Sequence, residues 1–141
     1  MNVSQKSQYA LRAILELGKN RSGKPVSSSV IAEAQSIPVR FLESILVELK
    51  QAGWIASRRG VGGGHMLAVD PSTVSVADVV RLIDGPLSPV GRRSGSVVRD
   101  DVFSSVWSDA EGAITGVLEG ATFDDILERD AAGDCEPSYS I

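Results

Sequence analysis

A mainly α chain with one small β-hairpin is the fold class this sequence predicts, and three observations carry that expectation. Apolar residues recur with helical spacing along most of the chain. Two short helical segments stand on either side of Ser36-Ile37-Pro38. A basic, glycine-packed run, Arg58-Arg59-Gly60-Val61-Gly62-Gly63-Gly64-His65, follows them directly, between two β-prone segments. Together these pieces compose a helix-turn-helix with an exposed hairpin, or wing, behind it, followed by a long C-terminal helix suited to dimerisation.

Each element has its own local cause. From Ser4 to Lys19, Ala10, Ala13, Ile14 and Leu17 follow the i, i+3, i+4, i+7 spacing of a helix buried on one face. Asn20 to Pro25 is turn chemistry, after which Ser27 or Ser28 can cap a short helix that carries Ile31 and Ala34 inward. Pro38 interrupts that helix and suits the first turn of the next, whose stripe of Leu42, Ile45, Leu46 and Leu49 runs to Ala52 and stops at Gly53. Trp54 to Arg59 and His65 to Val69 are the hairpin strands, and Asp70-Pro71 closes them.

Ser75-Val76-Ala77-Asp78 reads as a capping box ahead of Val79, Val80, Leu82 and Ile83, a fourth helix that ends before Gly85-Pro86. Gly85 to Ser96 is a loop. Val98 to Leu118 then carries Val102, Phe103, Val106, Trp107, Ala110, Ile114, Val117 and Leu118, a long stripe with few apolar partners left to cover it, so a second subunit is its expected cover. Thr122-Phe123-Asp124-Asp125 opens a last short helix with Ile126 and Leu127 inward, and Ala131 to Ile141 is a polar tail without periodicity. The organisation expected is a DNA-binding unit over 1–84, a loop over 85–96, a dimerisation helix with the short terminal helix over 97–130, and a flexible tail over 131–141.

Charge is divided unevenly. Residues 1–66 hold nine Lys or Arg against four acids, a formal +5, whereas residues 67–141 hold five against fourteen, a formal −9. The overall −4 therefore hides a basic module of the kind that meets a polyanion. At 141 residues the chain can bury one modest core. No run of about 18 apolar residues occurs and Met1 to Gln8 is polar, so neither a membrane span nor secretion is expected, and the cytoplasm is the expected location. The single cysteine, Cys135, lies in the tail with nothing beside it to lower its pKa, and reads as an inert thiol.

Within the wing, glycines admit positive φ and close backbone approach, while Arg58 and Arg59 supply charge for phosphates or base edges. A nucleotide-binding loop would need Gly-x-x-x-x-Gly-Lys-Ser/Thr and a following helix, and here a strand follows. His65 has no second histidine or nearby cysteine to make a metal or catalytic site, so it is expected to add a donor towards phosphate. Trp107 reads as interface core, and Arg92-Arg93 as a solvated loop. The carboxylates Asp124, Asp125, Glu128 and Asp130 sit on one short helix and make a solvated face; no nucleophile with an adjacent base is found, so no enzyme is expected.

Tyr9-Ala10 in the first helix, Phe41-Leu42-Glu43 in the third, Arg59-Gly60-x-Gly62-Gly63-Gly64 in the wing and Val79 to Asp84 after it resemble the winged-helix repressors typified by the IscR, NsrR and CymR regulators. The resemblance covers residues 1–85 closely and the dimerisation helix loosely. It implies a homodimeric transcription regulator, most simply a repressor, on a dyad-symmetric double-stranded operator. Carried over by position, it implies that Val39, Arg40, Phe41, Glu43 and Ser44 face base edges or nearby phosphates in the major groove. Arg59 would enter the minor groove, beside Arg58, Gly60, Gly62, Gly63, Gly64 and His65 of the wing. Ser4, Lys6, Tyr9 and Ser28 would contact phosphates and set register. Glu43 would accept from a cytosine amino group and filter against wrong sites. Val102, Val106, Trp107, Ala110, Ile114 and Val117 would form the dimer interface.

One departure bears on the signal. Cluster-binding relatives place three closely spaced cysteines after the fourth helix, where this chain reads Gly85-Pro86-Leu87-Ser88-Pro89-Val90-Gly91-Arg92-Arg93-Ser94-Gly95-Ser96. The expectation is a cluster-free member with no metal and no cofactor. Two other classes stay in view: a protein-interaction module with weak DNA binding, and a metabolite sensor that works through a partner enzyme.

Overall fold

The computed structural model describes residues 2–20, 22–90 and 101–133. Among the described residues six α-helices run in the order α1 (Gln5–Lys19), α2 (Ser28–Gln35), α3 (Val39–Gln51), α4 (Val76–Asp84), α5 (Ser104–Gly120) and α6 (Phe123–Ala131). Between α3 and α4 lie β1 (Ile55–Arg58) and β2 (Gly64–Leu67), an antiparallel hairpin in which Ile55 faces Leu67 and Arg58 faces Gly64. No helix among the described residues is long and apolar enough to cross a membrane.

The helix ends are fixed by short polar side chains that satisfy otherwise unpaired amides. Ser4 accepts from the Ser7 N–H at the start of α1, and Ser27, not Ser28, caps α2 by accepting from Val30. Ser75 with Asp78 and Thr122 with Asp125 form reciprocal capping boxes at α4 and α6. Between α2 and α3 the chain reverses through Ser36, a non-glycine residue at φ +53°, while buried Ile37 ties its N–H to the Ala32 carbonyl.

α1 is the hub, packing against α2, α3, α4, α6 and β2. Ala10, Ala13, Ile14 and Leu17 meet Ile31, Leu42, Ile45, Leu49, Ile55 and Val79 in one core. In α2 the inward residues are Ile31 and Ala32; Ala34 is exposed, because the short helix turns its 31/32 edge towards α1.

Two departures from the sequence pattern lie near the C-terminal end. α5 starts at Ser104, since Asp101 accepts from the Phe103 N–H and from Ser104 through its carbonyl, a turn that precedes the helix; Val102 lies in that turn. The start expected at Val98, the Arg92-Arg93 pair, the rest of the loop beyond Val90 and the tail from residue 134 on, with Cys135, lie outside the described residues, while Ala131, expected to open the tail, ends α6. The last helix does not belong with α5. Phe123 is the inward residue of α6 and enters the main core, with Ile126 and Leu127 half-buried and Leu127 against Gly18 of α1. Backbone bonds join the starts of α4 and α6: Val76 N–H donates to Ala121 and Phe123 N–H donates to Val74.

Candidate nucleic-acid interface

α3 buries Leu42, Ile45, Leu46 and Leu49 and turns Val39, Arg40, Phe41, Glu43 and Ser44 outward, because a 3.6-residue period cannot face both sets inward. Pro38 caps the helix without a side-chain hydrogen bond, so the first-turn amides keep their electropositive end. Phe41 is 58% exposed and leans on Tyr9 of α1, ring centroids 6.3 Å apart at 46°. This contact, with the Lys6 to Glu48 ion pair, holds the first turns of α1 beside α3.

Behind α3, Gly53 at φ +81° turns the chain into the hairpin. Five residues, Arg59 to Gly63, bridge the last strand pair, and the Gly63 N–H closes the turn onto the Gly60 carbonyl at 2.9 Å. Backbone geometry demands glycine at two positions in particular. A Cβ on Gly63 would collide with the Arg58 carbonyl, and a Cβ on Gly64, at φ +152°, would lie 2.5 Å from the Val26 oxygen. Val26 is where β2 docks, through paired backbone bonds between Val26 and His65 of 2.9 and 2.8 Å. The hairpin is therefore fastened to the segment that leads into α2. Its tip, with Arg58 and Arg59, is exposed, and neither these two nor Arg40 has an ion-pair partner among the described residues.

His65 departs from expectation. Its Nε2 lies 2.9 Å from Ser28 Oγ and its Nδ1 2.8 Å from Ser57 Oγ, so the ring ties β2 to α2 and β1 instead of presenting a free nitrogen at the tip. Burial, and then the Lys50 charge, push its pKa below the ordinary histidine value, which favours the neutral ring with one donor and one acceptor nitrogen. Ser28 is the other half of that link.

The remaining expected contacts on α1 also have internal partners. Ser4 caps α1 and donates its N–H to Asp84 Oδ2 at 3.0 Å; Lys6 is paired with Glu48. Sequence reasoning missed Asp84 and Ser7. Ser7, fully buried, donates to the same Asp84 oxygen at 2.7 Å, so the last residue of α4 grips the first turn of α1. Burial alone would raise the Asp84 pKa, but hydrogen bonds from Ser4 and Ser7 and the Lys6 charge outweigh it and hold the carboxylate below its ordinary value. A serine three residues inside a helix carries no sequence signal for such a partner 77 positions away.

α5 contributes a different surface. None of its residues is buried; Val106, Trp107 and Val117 are exposed, Ala110 and Ile114 half-exposed, and the helix rests on α4 with Arg81 paired to Glu119. A cleft of about 390 Å³ lies beside this junction, lined by Arg81, Gly85, Pro86, Leu87, Glu111 and Thr115. Among the described residues no three His, Cys, Asp or Glu side chains gather as a metal site.

Residues 3–129 match the model of the family described as Rrf2, iron-dependent transcriptional regulator. The chain is 30% identical to the HTH-type transcriptional regulator CymR of Bacillus subtilis, over 89% of each protein. It is 28% identical to the regulator IscR of Escherichia coli, over 92% of this chain and 82% of the relative. Among solved structures, CymR of B. subtilis, described as the global cysteine regulator, superposes with a TM-score of 0.79 at 29% identity, covering 91% of this chain and 97% of that one. IscR of T. potens gives 0.78 at 29% identity, covering 99% and 95%. With its helix-turn-helix and hairpin wing, the chain belongs to the Rrf2 family of DNA-binding transcriptional regulators and is not an enzyme.

Proposed function

We propose that this regulator is a homodimeric repressor that grips a dyad-symmetric operator, laying α3 in the major groove and the wing tip in the adjacent minor groove. The observation that carries the reading is the wing: a glycine turn closed to larger residues at Gly63 and Gly64 that displays Arg58 and Arg59, exposed and without an ion-pair partner among the described residues. Arg59 would sit where a narrow minor groove concentrates negative potential. On α3, Arg40 and Ser44 supply donors for base edges or phosphates, and Glu43 accepts from a cytosine amino group. The uncapped start of α3 suits a phosphate oxygen. Ser4, Lys6 and Tyr9 set register from α1, while Ser28 and His65 act by holding the wing.

Dimerisation falls to α5, whose Val102 turn and exposed Val106, Trp107 and Val117, with Ala110 and Ile114, form an apolar face too large for one subunit to cover. The family description names iron, and the donor set of this chain does not fit an iron–sulfur cluster. Its one cysteine is Cys135, and its one histidine is held by two serines. We therefore read it as a cluster-free member, whose effector is a small molecule, admitted at the cleft beside Leu87, or a partner enzyme. Protein purified without oxygen is expected to be colourless and free of iron.

The deciding experiment is a fluorescence-anisotropy titration on DNA from upstream of the chain's own gene and on unrelated DNA, across a salt series. Tight, salt-sensitive preference for the upstream DNA supports the reading, and Arg59→Ala should then cost about 1–3 kcal/mol. Equal weak binding to both, with or without added effector, overturns it.

A further inference from the structure

The outward ridge of α3 contains two residues that folding does not explain. Val39, Glu43 and Val47 succeed one another at four-residue steps, so they line up along one edge of the helix. Val39 is 47% exposed and Val47 is 55% exposed. Neither belongs to the core, and a β-branched residue on an exposed helical face is a poorer helix former than alanine, lysine or glutamate. Packing and propensity would both favour something else at these places.

The surroundings say what the ridge meets. Arg40 lies on the same outward face, Lys50 closes the helix, and Arg58 and Arg59 project from the hairpin that follows. Such a cationic rim suits a polyanion, and it disfavours a second copy of the same rim. Inside a polyanion's major groove the apolar feature on offer is the C5-methyl of thymine, which protrudes from the base edge where side chains of a recognition helix lie.

We propose that Val39 and Val47 read thymine methyl groups in the operator half-site, which makes them specificity-determining residues on either side of Glu43. The inference rests on α3 being the major-groove element, as proposed above. Burying one methyl group against another is worth a modest factor, about fourfold per contact, and it carries sequence information that phosphate contacts lack. The operator half-site should therefore carry thymines at two positions whose methyl groups, and not merely their hydrogen-bonding edges, are needed.

The test begins with selection of preferred duplexes from a random pool by the full-length protein. Each thymine of the selected half-site is then replaced in turn by deoxyuridine, which deletes the methyl and keeps every hydrogen-bonding group. Wild-type protein is expected to lose about fourfold in affinity at one or two thymines per half-site. Val39→Ala and Val47→Ala, which raise helix propensity, should each lose a similar factor on thymine DNA and become indifferent to deoxyuridine at their own position. Deoxyuridine that is neutral at every position, in protein that still prefers its selected site, overturns the methyl readout and leaves the operator-binding reading intact. A methyl dependence unchanged in both valine variants overturns their assignment. A pool that shows no enrichment overturns the placement of α3 in the groove, and the methyl readout with it.

Discussion

Ser28 Oγ stands 2.9 Å from His65 Nε2, a bond that joins the first residue of α2 to the inner strand of the wing. Ser57 holds the other ring nitrogen, so one imidazole spans three elements. His65→Ala deletes both bonds and should cost about 1–3 kcal/mol, read as a lower midpoint in urea. Its pH dependence has a definite sign. The folded-state pKa is depressed, so the unfolded chain binds more protons below the ordinary value of 6.5, and stability rises with pH through that window. The contribution is complete above 6.5 and is lost as pH falls beneath it. Thermal unfolding of wild type should show a lower midpoint near pH 5.5 than near pH 7.5, and the alanine variant should show less of that difference.

Gly64 and Gly60 both have positive φ but should respond differently to alanine. Gly60 faces open space at φ +95°, so its substitution costs only backbone strain, about 1–2 kcal/mol. Gly64→Ala meets the same kind of strain and also drives a methyl into the Val26 carbonyl, parting the wing from α2. It should destabilise by clearly more than Gly60→Ala in denaturant titration, and equal effects would contradict the docking of β2 on Val26.

Removing the Asp84 carboxylate leaves the buried Ser7 hydroxyl without its acceptor. Asp84→Ala should cost about 1–3 kcal/mol. Because the folded-state pKa lies below the ordinary 3.8, the stabilisation is present above that pH and disappears as pH falls below it. Wild type and variant should therefore converge in stability under strong acid, which circular dichroism across an acid series will read.

Trp107 is exposed at a helix surface that carries no buried residue, so Trp107→Glu should leave the fold intact. If α5 is the dimer seam, the charge should weaken self-association on the order of thirtyfold. Sedimentation equilibrium decides; an unchanged dimer would move the seam elsewhere.

Much of this was legible in the sequence because its causes are local. The stripe of α1, the proline before α3, the Ser75 and Thr122 caps and the glycines of the wing each follow from neighbours within a few residues. What could not be read depends on contacts across the chain. His65 looked free because the serines that hold it are 37 and 8 positions away. Phe123 looked like the first residue of an appended helix, yet its ring completes the core beneath α1. Val102 continued an apolar period past the point where Asp101 had already turned the chain. The outward face of α3 was legible as a surface, while Val47 within it was passed over because an isolated apolar residue carries no periodic signal.

The pairing of Ser75 with Thr122 gives the long helix an unusual mechanical position. α6 returns to α1 and the capped starts of α4 and α6 are laced together, so α5 cannot swing as a free arm. It is a strut anchored to one body beyond its C-terminal end and resting on α4, where Arg81 pairs with Glu119. A torque applied to that strut by a neighbouring subunit reaches α1 by two routes, directly through α6 and through the Val74–Ser75 segment and α4 to Asp84, which holds the first turn of α1 beside α3.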